Sequence, residues 1–580
     1  MKLTKSFFSI SPALIVENLK QYWAIAMVGF LLFFASGPFP VMMGVNNQAK
    51  DMYIKDILSN GNLMFIFVLV VLPVAASIAV FKYLHTTNAV TVIHSMPFSR
   101  QRLFNSAAIS GMIIVVVPII LIGLIMALIT GSDGFLWMVD SMIISLFVFS
   151  ISTIAAVISG TIFVHTLLAF LLNYITNILI YFTQRYMISF LDGYEGSKFF
   201  DKVYSYLSPL SHRMNMSHII EASEWWLMLI YVALSLAFLA IGYLLYKKVK
   251  LEHEGNGMVF KLAADVVSIL IAFIGMTAIG YYLRSISDGG NDMIFFYFGC
   301  VIGSTVFFIV CRMIIERAVN IFSKENFIKY GIFVVIAAIF LSFTVFDITG
   351  YEKRVPEEDD VAYVTLPDLD NWAFYSDDEK YKAKFDDEES IEAVTQLHSR
   401  IVTEDLQTPY KYYVEPAYYA EEGKNEEIVG NVAFTYHLKN GKTMSRQYAI
   451  WFKPGVEEAI KSLYESDDNK SAGVFRGRTA DDFKKIVIHD AGYYSALTLP
   501  ASEEEGLMAA MDADFRARTY EQQMDSETVC FLNFDDYSES VRKSDKNAIR
   551  FLREHGYSDY LDSTFADRAM DQETKEKYGM

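Results

Sequence analysis

Nine long apolar runs fill the chain up to about residue 348, and then they stop. They lie at Tyr22–Val41, Leu63–Tyr83, Ala107–Leu128, Leu136–Ile158, Phe163–Tyr181, Trp225–Tyr246, Leu262–Leu283, Met293–Ile315 and Gly331–Phe346. Roughly twenty apolar residues suffice to cross about 30 Å of hydrocarbon as a helix. In that medium a helix satisfies its own backbone, so the front of the chain is expected to be a polytopic α-helical membrane bundle. Residues 349–580 contain no such run and read as a water-soluble domain.

Charge divides at the same place. Residues 1–349 carry 21 Lys and Arg against 18 Asp and Glu, a net +3, whereas residues 350–580 carry 28 against 49, a net −21, so the chain's overall −18 comes from the tail. Such an acidic surface repels phosphates and excludes nucleic acid as a partner. A solvated acidic face also accounts for the clusters Glu357–Asp360, Asp377–Glu379 and Asp386–Glu389, none of which follows the D-x-[DN]-x-[DN]-G pattern of a calcium loop. The three cysteines (Cys300, Cys311 and Cys530) have no metal-like spacing, and the tail has only Cys530, so no disulfide within it is expected.

Counting from an inside N-terminus, nine crossings place the tail outside. Fourteen of the 21 positive residues before residue 350 then fall in inside segments, including Lys82, Arg100, Arg102, Lys247, Lys248, Arg312 and Lys329. The first run follows Lys2 and Lys5 at full length without a convincing cleavage site and reads as a signal anchor. The fourth and fifth runs are separated only by a tight turn around Ser159–Thr161; as one re-entrant feature they would put the tail inside. Two loops are longer than a turn needs. In the inside loop 84–103, Val90, Ile93 and His94 fall at helical spacing, Pro97 should end that helix, and Ser99 can cap the next one, with Arg100 and Arg102 at the headgroups. The outside loop 184–224 suits either short helices dipping into the outer leaflet or a plain solvated loop.

The tail pattern is α+β, in one body or in two subdomains meeting near Gly473–Asp482. Ile391–Val402, Val456–Tyr464 and Lys546–Glu554 have helical spacing, and Asn440–Gly441 between two strand-like runs signals a hairpin.

There is no G-x-x-x-x-G-K-[ST] phosphate loop, no H-E-x-x-H and no G-x-S-x-G. The polar residues inside the apolar runs are then the candidates for function, because burying them in hydrocarbon is costly. Asp140 lies near the outer end of the fourth run. His165, Asn173 and Asn177 fall within roughly 120° of one face of the fifth, at about 100° per residue. That face fits either a translocation path or hydrogen bonding between packed helices. Asp265, one turn from Lys261, is expected at the inner surface, snorkelling or paired.

At His94–Phe104 (HSMPFSRQRLF) the chain resembles permease subunits of the type-two ABC exporter family of Gram-positive bacteria. These commonly carry H-S-L-P-x-S-R-x-x-L-F between their second and third spans. His94, Ser95, Pro97, Ser99, Arg100, Leu103 and Phe104 match, and Met96 replaces the usual Leu. The resemblance covers roughly residues 1–255 and includes a six-span core and an N-terminal helix, for which Ser11–Lys20 is well placed. It implies that residues 1–255 form the permease core and that Val90, Ile93, His94, Ser95, Met96, Pro97, Ser99, Arg100 and Arg102 couple it to a separate ABC ATPase dimer. That dimer would bind the ATP, leaving this chain without a cofactor or metal of its own. It also implies a homodimer or a pairing with a sister permease in the cell membrane. Residues 256–348 would add three helices, and residues 349–580 an extracytoplasmic module. The rival expectations are a membrane-anchored ligand sensor or accessory interaction protein, and a membrane-embedded hydrolase, for which Asp140 and His165 are poorly matched.

Overall fold

The computed structural model describes residues 9–43, 58, 62–86, 96–194, 196, 198–215, 225–249, 257–287, 292–366, 383–404, 406, 429–451, 455–483, 485–492, 496–534 and 538–561. The chain forms two compact units, residues 1–185 with 197–342, and residues 186–196 with 343–580.

Among the described residues of the chain, nine helices are long and apolar enough to cross a membrane. In order they are Pro12–Ser36, Leu63–Val80, Arg100–Thr130, Ser132–Ile158, Ile162–Phe190, Trp225–Lys248, Lys261–Ser285, Asp292–Glu316 and Lys324–Val345. Their starts are written locally. Pro12 stands at the first helical turn, where its missing N–H removes nothing. Asn62 accepts from Phe65 N at 3.2 Å, and Ser99 accepts from Arg102 N at 3.2 Å.

One face of the bundle is stitched by polar contacts that fix the direction of each helix. Ser11 N donates to Ser106 Oγ at 2.9 Å, joining the starts of the first and third helices. His85, after the second helix, meets His165 near the start of the fifth at 3.2 Å. The turn between the fourth and fifth helices is bound to the segment after the sixth, with Gly160 N on the Gly257 carbonyl and Val259 N on that of Ile158, both at 2.9 Å. Gly257 N in turn donates to the Ile315 carbonyl, at the end of the eighth helix, at 3.0 Å. Asp265 in the seventh accepts from Arg312 in the eighth at 3.0 Å and pairs with Lys329 in the ninth at 2.9 Å. Odd-numbered helices therefore start, and even-numbered helices end, on this face. The fourth and fifth helices are 27 and 29 residues long, each enough for a full crossing.

The seventh and eighth helices pack backbone to backbone. A Cβ on Gly303 would lie 2.1 Å from the Gly275 carbonyl oxygen, and one on Gly299 would lie 2.6 Å from that of Ile279. Small residues allow this approach where no hydrophobic effect drives association.

The second unit is α+β with two antiparallel four-stranded sheets. The first runs β2 (Ala383–Phe385), β1 (Val361–Leu366), β3 (Val429–Leu438), β4 (Thr443–Trp451); the second runs β6 (Ala496–Thr498), β5 (Val487–Asp490), β7 (Thr528–Asn533), β8 (Ser538–Arg542). Helices Glu388–Thr403, Val456–Glu465 and Lys546–Glu554 stand where the apolar spacing places them. Residues of both sheets and of these helices join one buried cluster that includes Val364, Val394, Phe434, Ile460, Ile488, Leu532 and Leu552. The Asn440–Gly441 hairpin forms with a three-residue loop. Gly441 N donates to Leu438 O at 2.9 Å, and Gly441, at φ +80°, supplies the left-handed residue before Lys442 N–H meets Asn440 Oδ1 at 2.9 Å.

Candidate functional site

Of the residues that the resemblance links to ATPase coupling, Val90, Ile93, His94 and Ser95 lie outside the described residues. The rest form the root of the third helix. Met96 and Pro97 lead into Ser99, whose hydroxyl caps the helix. Arg100 and Arg102 do not simply rest at the headgroup level. Arg100 Nη1 donates to the carbonyls of Val249 at 2.9 Å, Lys247 at 3.3 Å and Tyr246 at 3.4 Å, at the C-terminal end of the sixth helix. A cation there meets carbonyls that have no intrahelical partner and the negative end of the helix dipole. Arg102 Nε donates to Ser9 Oγ at 3.1 Å, and Asn105 Nδ2 to the Ser9 carbonyl at 3.3 Å. The ends of three helices, the first, third and sixth, thus converge on Ser99–Asn105.

The four candidate path residues are all buried, at 0 % exposure for Asp140 and His165, 4 % for Asn173 and 7 % for Asn177. They are brought together along the fourth and fifth helices, and each faces a neighbouring element. His165 Nε2 lies 3.0 Å from the Ser152 carbonyl, which can only accept, so Nε2 carries the proton and Nδ1 accepts from His85 Nε2. Asn173 Nδ2 donates to Ala169 O at 2.7 Å and reaches Ser152 Oγ at 3.4 Å. Asn177 exchanges hydrogen bonds with Ser211, giving to its Oγ at 2.7 Å and accepting from it at 3.0 Å.

Ser211 belongs to Pro209–Asn215, a short helix inside the long loop that packs against the fourth helix. The same short helix carries Arg213, whose Nη1 stands 3.6 Å from Asp140 Oδ2 with both side chains buried. Arg213 also donates to the Leu58 carbonyl. Burial pulls the guanidinium down from its ordinary value, and the Asp140 charge opposes that shift. Chemically this is a polar ladder: a histidine pair at one end, two asparagines in series, and an ion pair opposite. Such a ladder holds helices in register.

Arg213, His85, Ser152 and Ser211 are the residues that sequence reasoning left out. Arg213 reads as one more loop cation, and the only signal for it was that Asp140 needed a partner. Asp265 is paired with Arg312 and Lys329 at the face where the odd-numbered helices start. Among the described residues no group of three or more His, Cys, Asp or Glu is placed to hold a metal ion.

A family model described as a domain of unknown function (DUF6449) matches residues 436–570. That stretch begins inside β3 and takes in β4, the whole second sheet and its helices, and it lies outside residues 1–255. No curated protein and no solved structure matches the chain. The protein is a multi-span helical membrane protein with a C-terminal DUF6449 domain.

Proposed function

We propose that the chain is the permease subunit of an ATP-driven ABC exporter, moving its substrate across the cell membrane with energy from ATP hydrolysed by a separate ATPase dimer. It would act as a homodimer or with a sister permease, with its N-terminus cytoplasmic and its C-terminal domain extracytoplasmic. The observation that carries this reading is the root of the loop that bears the H-S-x-P-x-S-R motif. Arg100 grips the end of the sixth helix and Arg102 the start of the first, so a push on that loop reaches three helices at once. The orientation is supported by the stitched face, which gathers Lys82, Arg100, Arg102, Lys247, Lys248, Lys261, Arg312 and Lys329. Asp140, His165, Asn173 and Asn177 take the role of register-holding bonds in this reading, since their polar atoms reach across to other helices.

Co-purification tests the proposal. The full chain should retain an ATPase subunit, and replacing His94–Pro97 by a Gly/Ser linker should release it. Equal retention by both, or nucleotide turnover by the chain purified alone, would overturn the reading.

A further inference from the structure

Residues 186–196 are the last turn of the fifth membrane helix and the segment that follows it, and their contacts place them with the C-terminal unit. The segment Leu191–Tyr194 lies along β4, the edge strand of the first sheet. Gln447 N, on the open side of β4, donates to the Gly193 carbonyl at 3.2 Å. Asp192 N donates to Glu352 Oε1 at 3.1 Å, and the Tyr194 ring stands edge-on to Tyr351 at 5.8 Å. Leu191 is buried. Gly193 has φ +74°, and a Cβ there would lie 2.5 Å from Tyr448 Oη, so both the backbone and the space demand glycine.

Tyr351 gathers the contacts. The Arg446 guanidinium lies 3.7 Å from its ring centroid and donates to its carbonyl at 3.0 Å. Asp347, two residues past the ninth helix, holds Tyr351 N at 2.6 Å and Glu352 N at 2.9 Å. The chain arriving from the ninth helix and the chain leaving the fifth therefore meet at one patch, Tyr351–Glu352 with Arg446–Tyr448.

We propose that Leu191–Tyr194 is a docking strap recognised by β4, by which the acidic domain restrains the C-terminal end of the fifth membrane helix. The strap, far from β4 in sequence, covers an otherwise open strand edge and makes the last turn of the fifth helix part of the domain's own stability. The proposal concerns what the domain does to its own chain and does not depend on an ATPase partner.

Hydrogen exchange on the full-length protein in nanodiscs tests it. Gly193→Val should expose both β4 (443–451) and the helix end (183–190), each exchanging roughly tenfold faster than in the unaltered chain. Gly196→Val also strains the backbone, at φ +118°, but its side chain meets no atoms, so it should disturb β4 less than Gly193→Val and controls for strain alone. Tyr194→Ala, which removes the ring that stands against Tyr351, should give a smaller rise in the same two segments and so guards against a fold collapsed by Gly193→Val. Acceleration of β4 without the helix end, no acceleration in either, or an equal effect from Gly196→Val would overturn the strap.

Discussion

Arg100 and Val249 are joined by a 2.9 Å hydrogen bond from guanidinium to carbonyl, so the first residue of the third membrane helix closes the last turn of the sixth. Charge-assisted bonds at a partly buried helix end contribute about 1–2 kcal/mol. Arg100→Ala should therefore lower the melting temperature of the solubilised protein and, under the proposed permease function, weaken retention of an ATPase subunit. Arg100→Lys should recover only part of either, because a point charge cannot span three carbonyls. Equal melting of all three proteins would mean that the contact contributes nothing.

Asp140 and Arg213 test a different balance. Breaking a buried ion pair from one side leaves the other charge in a poor medium and costs several kcal/mol, roughly 3–5 in soluble proteins, whereas replacing both partners by apolar groups of similar volume is often neutral. Asp140→Leu alone should aggregate on heating well below the parent. Asp140→Leu with Arg213→Met should regain most of the loss. A double variant no better than Asp140→Leu would show that Arg213 acts chiefly through its other contacts, such as the Leu58 carbonyl.

The difference between what was legible and what was not follows from sequence separation. A membrane helix declares itself in twenty consecutive residues, and the tail helix Lys546–Glu554 in nine, because the cause of each is local. The hairpin was legible for the same reason, although Gly441 serves as the third loop residue. The polar face of the fifth helix was visible as a periodicity. Its partners were not, since His85, Ser152 and Ser211 come from three other segments. Arg213 in a mixed loop looks like any exposed cation. Arg100 and Arg102 read as headgroup anchors because the carbonyl of Val249 and the hydroxyl of Ser9 lie more than ninety residues away from them. The strap is the extreme case: Gly193 looks like a loop glycine until Tyr448 is placed over it.

The seventh and eighth helices supply a steric prediction. With the Gly303 Cα facing the Gly275 carbonyl, even a methyl group meets the backbone at 2.1 Å, and neither helix can yield without losing the contact along its length. Gly303→Ala should cost about 1–3 kcal/mol by overpacking, and Gly303→Leu should separate the pair. Gly331→Ala, in the ninth helix with open space around it, should be silent. Thermal aggregation of the three variants in one detergent ranks them, and a Gly303→Leu protein as stable as the parent would contradict the packing.

His398 should make the acidic domain sensitive to acid. Its Nδ1 lies 3.1 Å from Tyr436 Oη and its Nε2 2.9 Å from Tyr448 Oη, in a fully buried position between helix Glu388–Thr403 and the first sheet. Burial, with the Arg446 charge adding to it, pushes the imidazole down to about 3 from its usual 6.5. The unfolded chain takes up a proton near pH 6.5 that the folded domain refuses until near pH 3, so stability is complete above the first value and is lost as pH falls toward the second. The slope is at most about 1.4 kcal/mol per pH unit. Opening can be followed at Cys530, which is buried, in a chain carrying Cys300→Ser and Cys311→Ser, using a dithiodipyridine reagent that reacts in acid. The temperature at which Cys530 becomes reactive should drop between pH 7 and pH 5. His398→Leu should start lower, having lost both tyrosine bonds, yet change less over the same interval. Parallel slopes for the two proteins would assign the acid sensitivity to the carboxylates of the domain instead of to His398.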